Sequence, residues 1–113
     1  MAVENVYQNH LRDVEHFLVD AALVMEPNDQ IVYMKKGSGD NSTYAVTLPY
    51  VRDAKGRIYI IHLIEKVGGT GKFAIDDKGD DAGWSTVNLT ADGDVLVVIS
   101  NGLRWLSLLD IST

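Results

Sequence analysis

Few residues in this chain could carry out catalysis, and their surroundings argue against that role. A catalytic base or nucleophile must be held against a partner group. His10 and His16 lie in a polar N-terminal stretch, too far apart to share one helical turn and without a Glu at metal-ligand spacing. His62 stands alone in an apolar stretch, which favours a hydrogen-bonded core or interface residue. We therefore predict a non-enzymatic protein without a cofactor; a small hydrolase that depends on His62 is the least supported alternative.

An acidic segment, residues 76–81, could bind a hard cation because it places four aspartates around Gly79. Calcium needs several oxygen ligands that converge on one point. The segment lacks the alternating acidic spacing and the closing Glu of the helix-loop-helix calcium motif, and Lys78 adds a positive charge at its centre. These features favour a solvated turn, with a weak calcium site as the alternative, so we assign no metal ligands.

The two tryptophans could line a carbohydrate-binding face, because sugar recognition commonly uses aromatic platforms. Trp105 follows a hairpin turn within an apolar strand, which favours packing in the core. Trp84 lies beside Gly83 in a polar loop, where packing and an exposed role in glycan binding or in an interface are both open.

Composition restricts the class of protein. The 113 residues are 46% hydrophobic and 23% charged, which is ordinary for one folded domain. A net charge of −6, with Lys and Arg scattered along the chain, argues against nucleic-acid binding. No stretch approaches the roughly 20 apolar residues that span a bilayer, so we expect no membrane partner. Because the chain has no cysteine, its fold depends on no disulfide.

The stretch 58–64 is the strand around which the predicted fold is organised. Alternate side chains of a strand point to opposite faces, and here both faces are apolar apart from His62. A strand with one face in water would alternate with polar residues. Both faces are therefore covered, by a second layer of the same chain or by a neighbouring subunit, and residues 95–99 show the same pattern. We expect a homo-oligomer.

Turn residues divide the chain into about eight short strands. The turn at 26–29 separates the runs 17–25 and 30–34, which indicates a hairpin, and the Asn-Gly pair at 101–102 indicates another. The remaining predicted strands are 43–48, 58–64, 73–75, 85–89, 95–99 and 103–109. The sequence therefore predicts an all-β fold, a small antiparallel β-sandwich or barrel formed by residues 17–113.

Residues 1–16 form a separate polar segment ahead of this domain. Val3, Val6, Tyr7 and Leu11 fall roughly at helical spacing within it. A helix this short is marginal without something to pack on. We therefore expect an N-terminal arm, with a short helix as the alternative.

Several short motifs follow one another in an order that resembles a module of tailed-phage virion proteins. In chain order they are Thr47-Leu48-Pro49, Lys55-Gly56-Arg57, Gly93-Asp94 with the apolar run after it, Ser100-Asn101-Gly102, and Trp105. The resemblance covers residues 43–108, and Asn101 stands where an Asp is common in such modules.

This resemblance implies a virion structural protein of the head-decoration, head-fibre or tail-fibre type. The chain is similar in length to small head-decoration (cement) proteins, which bind and stabilise the outer capsid lattice, often as trimers. It implies the major capsid protein as partner and a place on the capsid surface after assembly in the host cytoplasm. The arm residues Val3, Val6, Tyr7 and Leu11 would contact the lattice. A receptor- or glycan-binding module of a tail or head fibre, with Trp84 as a contact, is the alternative.

Overall fold

The computed structural model describes residues 15–37, 39 and 41–112, which fold into two β-sheets. The strands are β1 (Glu15–Val19), β2 (Leu23–Val24), β3 (Ile31–Lys36), β4 (Thr43–Thr47), β5 (Ile58–Lys66), β6 (Lys72–Asp76), β7 (Val87–Leu89), β8 (Val95–Ser100) and β9 (Trp105–Ile111). The first sheet has the strand order β1-β3-β5-β8-β9, and the second has the order β2-β4-β6-β7. The predicted all-β sandwich is confirmed, with nine strands in the described ranges in place of eight.

The first six strands alternate between the two sheets, so each pairs with a strand two places away in sequence. β1, β3 and β5 run parallel in the first sheet, and β2, β4 and β6 run parallel in the second. The chain thus completes three turns of a flattened coil. The prediction that the sandwich is antiparallel is therefore wrong for this half of the chain.

The predicted hairpin between runs 17–25 and 30–34 is wrong because the first run is divided at Asp20. This residue has a positive φ of 47°, a conformation that Asp tolerates better than most residues. The chain crosses there from the first sheet to the second. β1 then lies parallel to β3, with Phe17 beside Tyr33. One apolar run supplies two strands, which explains the ninth.

The last strands close both sheets in antiparallel fashion. β7 pairs with β6, β8 with β5, and β9 with β8. In the turn between β8 and β9, the Asn101 side chain accepts hydrogen bonds from the N–H groups of Leu103 and Arg104. Gly102 has a φ of 93°, which a residue without Cβ adopts at little cost. The predicted Asn-Gly hairpin is confirmed.

The hydrophobic core lies between the two sheets. Its fully or almost fully buried strand residues are Val32, Met34, Tyr59, Ile61, Leu63, Leu96, Val98 and Trp105 from the first sheet, and Val46, Phe73, Ile75 and Leu89 from the second. Trp105 packs edge-on against Tyr59, with the ring centroids 5.3 Å apart. The structure therefore confirms Trp105 as a packing residue.

One charged side chain enters this core. Lys36 is completely buried on the inward side of β3. Its ammonium group lies 3.7 Å from the Asp20 carboxylate and 5.6 Å from the centre of the Tyr44 ring. A buried charge is costly unless it is paired. Asp20, which also accepts a hydrogen bond from the Gly37 N–H, is therefore both the corner between the sheets and a counter-ion.

The arm predicted at residues 1–16 is described only in its last two residues. Glu15 and His16 belong to β1, whereas residues 1–14 lie outside the described residues. Across the described ranges, the one helical element is a 3₁₀ turn at Val51–Asp53. No helix in the same ranges is long and apolar enough to cross a membrane.

Candidate interaction surface

The outward-facing side of the five-stranded sheet, called the outer face below, is mostly apolar. Its side chains alternate with core residues along each strand. They are Glu15, Phe17 and Val19 on β1; Ile31, Tyr33 and Lys35 on β3; Ile58, Ile60, His62 and Ile64 on β5; Val95, Val97 and Ile99 on β8; and Leu106, Leu109 and Ile111 on β9. All are half-buried or exposed. Strand 58–64 is thus buried on its inner side as predicted, whereas the predicted cover of its other side by a further layer or a subunit stays a prediction.

The register of the strands aligns these side chains in rows across the sheet. One row contains Phe17, Tyr33, His62, Val95 and Ile111. The next row contains Glu15, Ile31, Ile60, Val97 and Leu109. Directly opposed side chains on neighbouring strands have Cβ atoms about 5 Å apart. The rows therefore form one continuous apolar surface.

Charge is confined to the margin of the outer face. Lys35 lies 3.5 Å from Glu65, and Glu15 lies on the edge strand β1. Five strands about 4.8 Å apart, with rows that span about five residues, enclose roughly 400 Å². The largest apolar patch on a monomer commonly covers about 300–600 Å² and often has a function, so the outer face is a candidate for binding a partner.

His62 lies in the middle of the outer face. Its ring centroid is 6.3 Å from that of Tyr33, with the planes inclined by 59°. The ring is half-buried among apolar neighbours on β3 and β8. His62 therefore lies outside the core between the sheets, and its predicted role as an interface residue stays a prediction.

Trp84, the residue proposed from the sequence for glycan contact, is half-buried. Its ring packs against the core, and its Nε1–H donates a hydrogen bond to the carbonyl oxygen of Ile75 at 3.2 Å. The polar edge of the indole is therefore engaged within the chain. The arm residues proposed for capsid contact lie outside the described residues: Val3, Val6, Tyr7 and Leu11.

The acidic segment 76–81 is a structural junction rather than the solvated turn that we predicted. Asp80 accepts a hydrogen bond from the Val51 N–H at 2.9 Å. Asp81 is buried and accepts one from the Trp105 N–H at 2.8 Å. These carboxylates thus hold distant backbone amides. No group of three side chains suited to a metal ion occurs in the part of the chain that the structure describes.

Sequence analysis missed a contact between His16 and Asp29. The Nε2 atom of His16 lies 2.6 Å from Oδ1 of Asp29, and Oδ2 of the same carboxylate accepts a hydrogen bond from the Glu26 N–H at 2.7 Å. The pair connects β1 with the turn that leads into β3. Only the parallel register of these strands brings the two residues together, and their spacing gives no sign of it.

Tyr59 combines a hydrogen bond to the turn before β3 with a raised pKa. Its hydroxyl donates a hydrogen bond to the Pro27 carbonyl oxygen at 2.6 Å. Burial raises the pKa of Tyr59 above the usual 10.0, and the neighbouring Arg57 partly opposes that shift. The hydroxyl lies in the core and closes the turn before β3, so its role is structural.

No protein-family model, curated protein or solved structure matches this chain. The functional interpretation therefore depends on the outer face and on the sequence motifs.

Proposed function

We propose that this protein is a non-enzymatic structural component of a tailed-phage virion. In its most specific form, it is a capsid decoration (cement) protein that binds the major capsid protein on the outer capsid surface as an oligomer. The motifs in residues 43–108 that resemble virion modules support the class of protein. The outer face supports a role in assembly.

The observation that carries the proposal is the apolar outer face. At about 25 cal/mol per Å², covering roughly 400 Å² would contribute about 10 kcal/mol. Association costs about 4–15 kcal/mol in lost freedom of motion, so a single contact through this face is marginal. A repeated lattice removes that limit, because linked copies that bind neighbouring sites gain avidity without any new kind of contact.

The mechanism is mechanical. Bound copies add buried interface between neighbouring capsid subunits, and the outward pressure of packaged DNA must break that interface before the shell can open. Such a protein needs a stiff scaffold and a contact surface. The sandwich has a close-packed core drawn from both sheets, and the outer face is a candidate for that surface.

The experiment that tests this proposal is co-sedimentation with expanded empty capsids of the same virus. We expect the full chain to sediment with the capsids. Phe17 is 61% exposed on the outer face, so Phe17→Asn should weaken binding by roughly tenfold without unfolding the protein. Val24, which is 59% exposed on the other sheet, provides the matched control, and Val24→Asn should bind normally.

A second variant separates the outer face from the N-terminal segment. Deletion of residues 2–14 removes none of the described strands. Loss of capsid binding in that variant, with normal binding by Phe17→Asn, would transfer the contact to the arm. A full chain that does not sediment with capsids at any concentration would contradict the decoration role.

A further inference from the structure

β9 is an edge strand that the rest of the described chain leaves uncovered. Within the described ranges it pairs with β8 alone. The second sheet does not shield its inward side, because Ser107 and Asp110 are exposed there. Leu106, Leu108 and Ile111 are 45%, 56% and 52% exposed. Long apolar edge strands are templates for pairing with another strand.

The hydrogen bonds of β8 show which residues of β9 have N–H and C=O groups that point away from β8, towards the unpaired edge of the sheet. In an antiparallel ladder, successive residues bond alternately to one neighbour and to the other. Ser100 bonds to the segment leading into β5, so Val98 and Leu96 also bond towards β5. Their partners in β9 are Ser107 and Asp110. The backbone groups of these two residues therefore point away from β8, towards an edge that no other described strand occupies.

β9 contains one residue more than the stretch of β8 that it pairs with. Val98 pairs with Ser107 and Val97 with Leu109, so Leu108 has no partner on β8. Leu106 and Ile111 consequently share the outer face although they are an odd number of positions apart. Residues 106–111 read apolar, polar, apolar, apolar, polar, apolar. This pattern is the same in both directions along the strand.

We infer that β9 pairs antiparallel with β9 of a second copy of this chain, about a twofold axis between Leu108 and Leu109. In this register, Ser107 of each copy lies opposite Asp110 of the other. The pair exchanges both of its free backbone hydrogen bonds. The irregularity at Leu108 meets the same irregularity in the second copy, so neither strand has an unmatched residue. Twofold contacts of this kind use one surface patch twice.

The side chains fit the same register. Leu106 of one copy lies opposite Ile111 of the other, and both belong to the outer face. The two Asp110 carboxylates are about 10 Å apart, since about three residues separate them along the strand, and salt screens charges at that distance. A slip of one residue would place Leu106 opposite Asp110, so that apolar side chains of one strand would lie beside polar side chains of the other.

This pairing joins the two five-stranded sheets into one sheet of twice the width, with a continuous outer face. It gives an even number of subunits, in place of the trimer implied by the resemblance. It does not depend on the proposed capsid role, because it is argued from the position and sequence of β9 alone.

Two single-cysteine variants test the pairing directly, because the chain has no cysteine of its own. Residues 106 and 111 of opposite copies would have Cα atoms about 5 Å apart, which a disulfide can span. Leu106→Cys and Ile111→Cys, co-expressed and oxidised, should give a covalent dimer. Each variant alone should remain uncross-linked, because identical positions lie roughly 16 Å apart along the strand.

Light scattering on the unmodified protein gives an independent result. We expect twice the chain mass of 12.4 kDa. A monomer or a trimer in solution, or cross-linking by either variant alone as efficiently as by the mixture, would overturn the inference. A dimer that ignores capsids would contradict the proposed function and leave this pairing intact. A monomer that decorates capsids would contradict this pairing and support the proposed function.

Discussion

The carboxylate of Asp81 accepts a hydrogen bond from the backbone N–H of Trp105 at 2.8 Å, and both residues are buried. The contact ties the acidic segment to the first residue of β9. It also gives the Trp105 N–H an acceptor, since this N–H points away from β8. The same carboxylate accepts a hydrogen bond from the Gly83 N–H.

Asp81→Ala should therefore destabilise the fold. Removing the carboxylate leaves a buried N–H without an acceptor, which should lower the free energy of unfolding by about 2–3 kcal/mol. Urea denaturation measures the loss. Asp53→Ala is the control, because Asp53 is exposed and its removal should change stability by less than about 0.5 kcal/mol. Equal losses in the two variants would contradict the role assigned to Asp81.

Tyr59→Phe should change how stability depends on pH. The raised pKa of Tyr59 means that the unfolded chain loses this proton before the folded chain does as the pH rises. The stabilisation is therefore complete below about pH 10 and is lost as the pH rises through the folded pKa. Near neutral pH, the variant should lose about 1 kcal/mol because the hydrogen bond to Pro27 is absent.

Urea denaturation of both proteins at about pH 8 and about pH 11 checks this prediction. The other tyrosines are common to the two proteins, so the difference in unfolding free energy reports Tyr59 alone. That difference should shrink at the higher pH. A difference that stays constant would show that the hydroxyl titrates alike in the folded and unfolded chains.

Asp20→Asn should destabilise the protein through Lys36. The amide retains an oxygen for the Gly37 N–H and suits the positive φ at this corner, but it removes the negative charge beside a buried ammonium group. We expect a loss of about 1–2 kcal/mol, moderated by the partial exposure of Asp20. Adding Lys36→Met should restore part of the loss. A double variant less stable than Asp20→Asn alone would rule out the charge as the cause.

Trp84→Phe tests the glycan-binding alternative. The smaller ring retains most of the packing but loses the N–H that donates to the Ile75 carbonyl, so we expect about 1 kcal/mol of destabilisation. Under the decoration role, capsid binding should be unchanged. Glycan-array binding by the unmodified protein that disappears in Trp84→Phe would favour a fibre module instead.

The sequence reveals those parts of the fold that depend on neighbouring residues. Apolar residues on both sides of strand 58–64 predicted the buried inner face and the apolar outer face. The Asn-Gly pair at 101–102 predicted the hairpin that joins β8 to β9. Each signal lies within one or two short stretches, where side-chain alternation and turn chemistry act directly.

Other parts depend on residues that meet only in the folded chain. The run 17–25 contains neither glycine nor proline. Nothing in the local sequence therefore shows that the run divides at Asp20 between two sheets. From the sequence, Lys36 would be expected at the surface. Its burial follows only from the fold, which places Asp20 beside it. The carboxylates of Asp80 and Asp81 resemble a solvated turn, because their amide partners lie 29 and 24 positions away in the chain.

The alternation of the first six strands between two sheets has a consequence for how the chain folds. Each parallel pair joins strands that are separated by a strand of the other sheet, and the sequence-adjacent pairs in the described ranges, β6 with β7 and β8 with β9, all lie after residue 71. Local hairpins close fastest, so nucleation should begin in the C-terminal third. On the ribosome, the early strands should therefore remain unpaired until these two C-terminal hairpins have emerged.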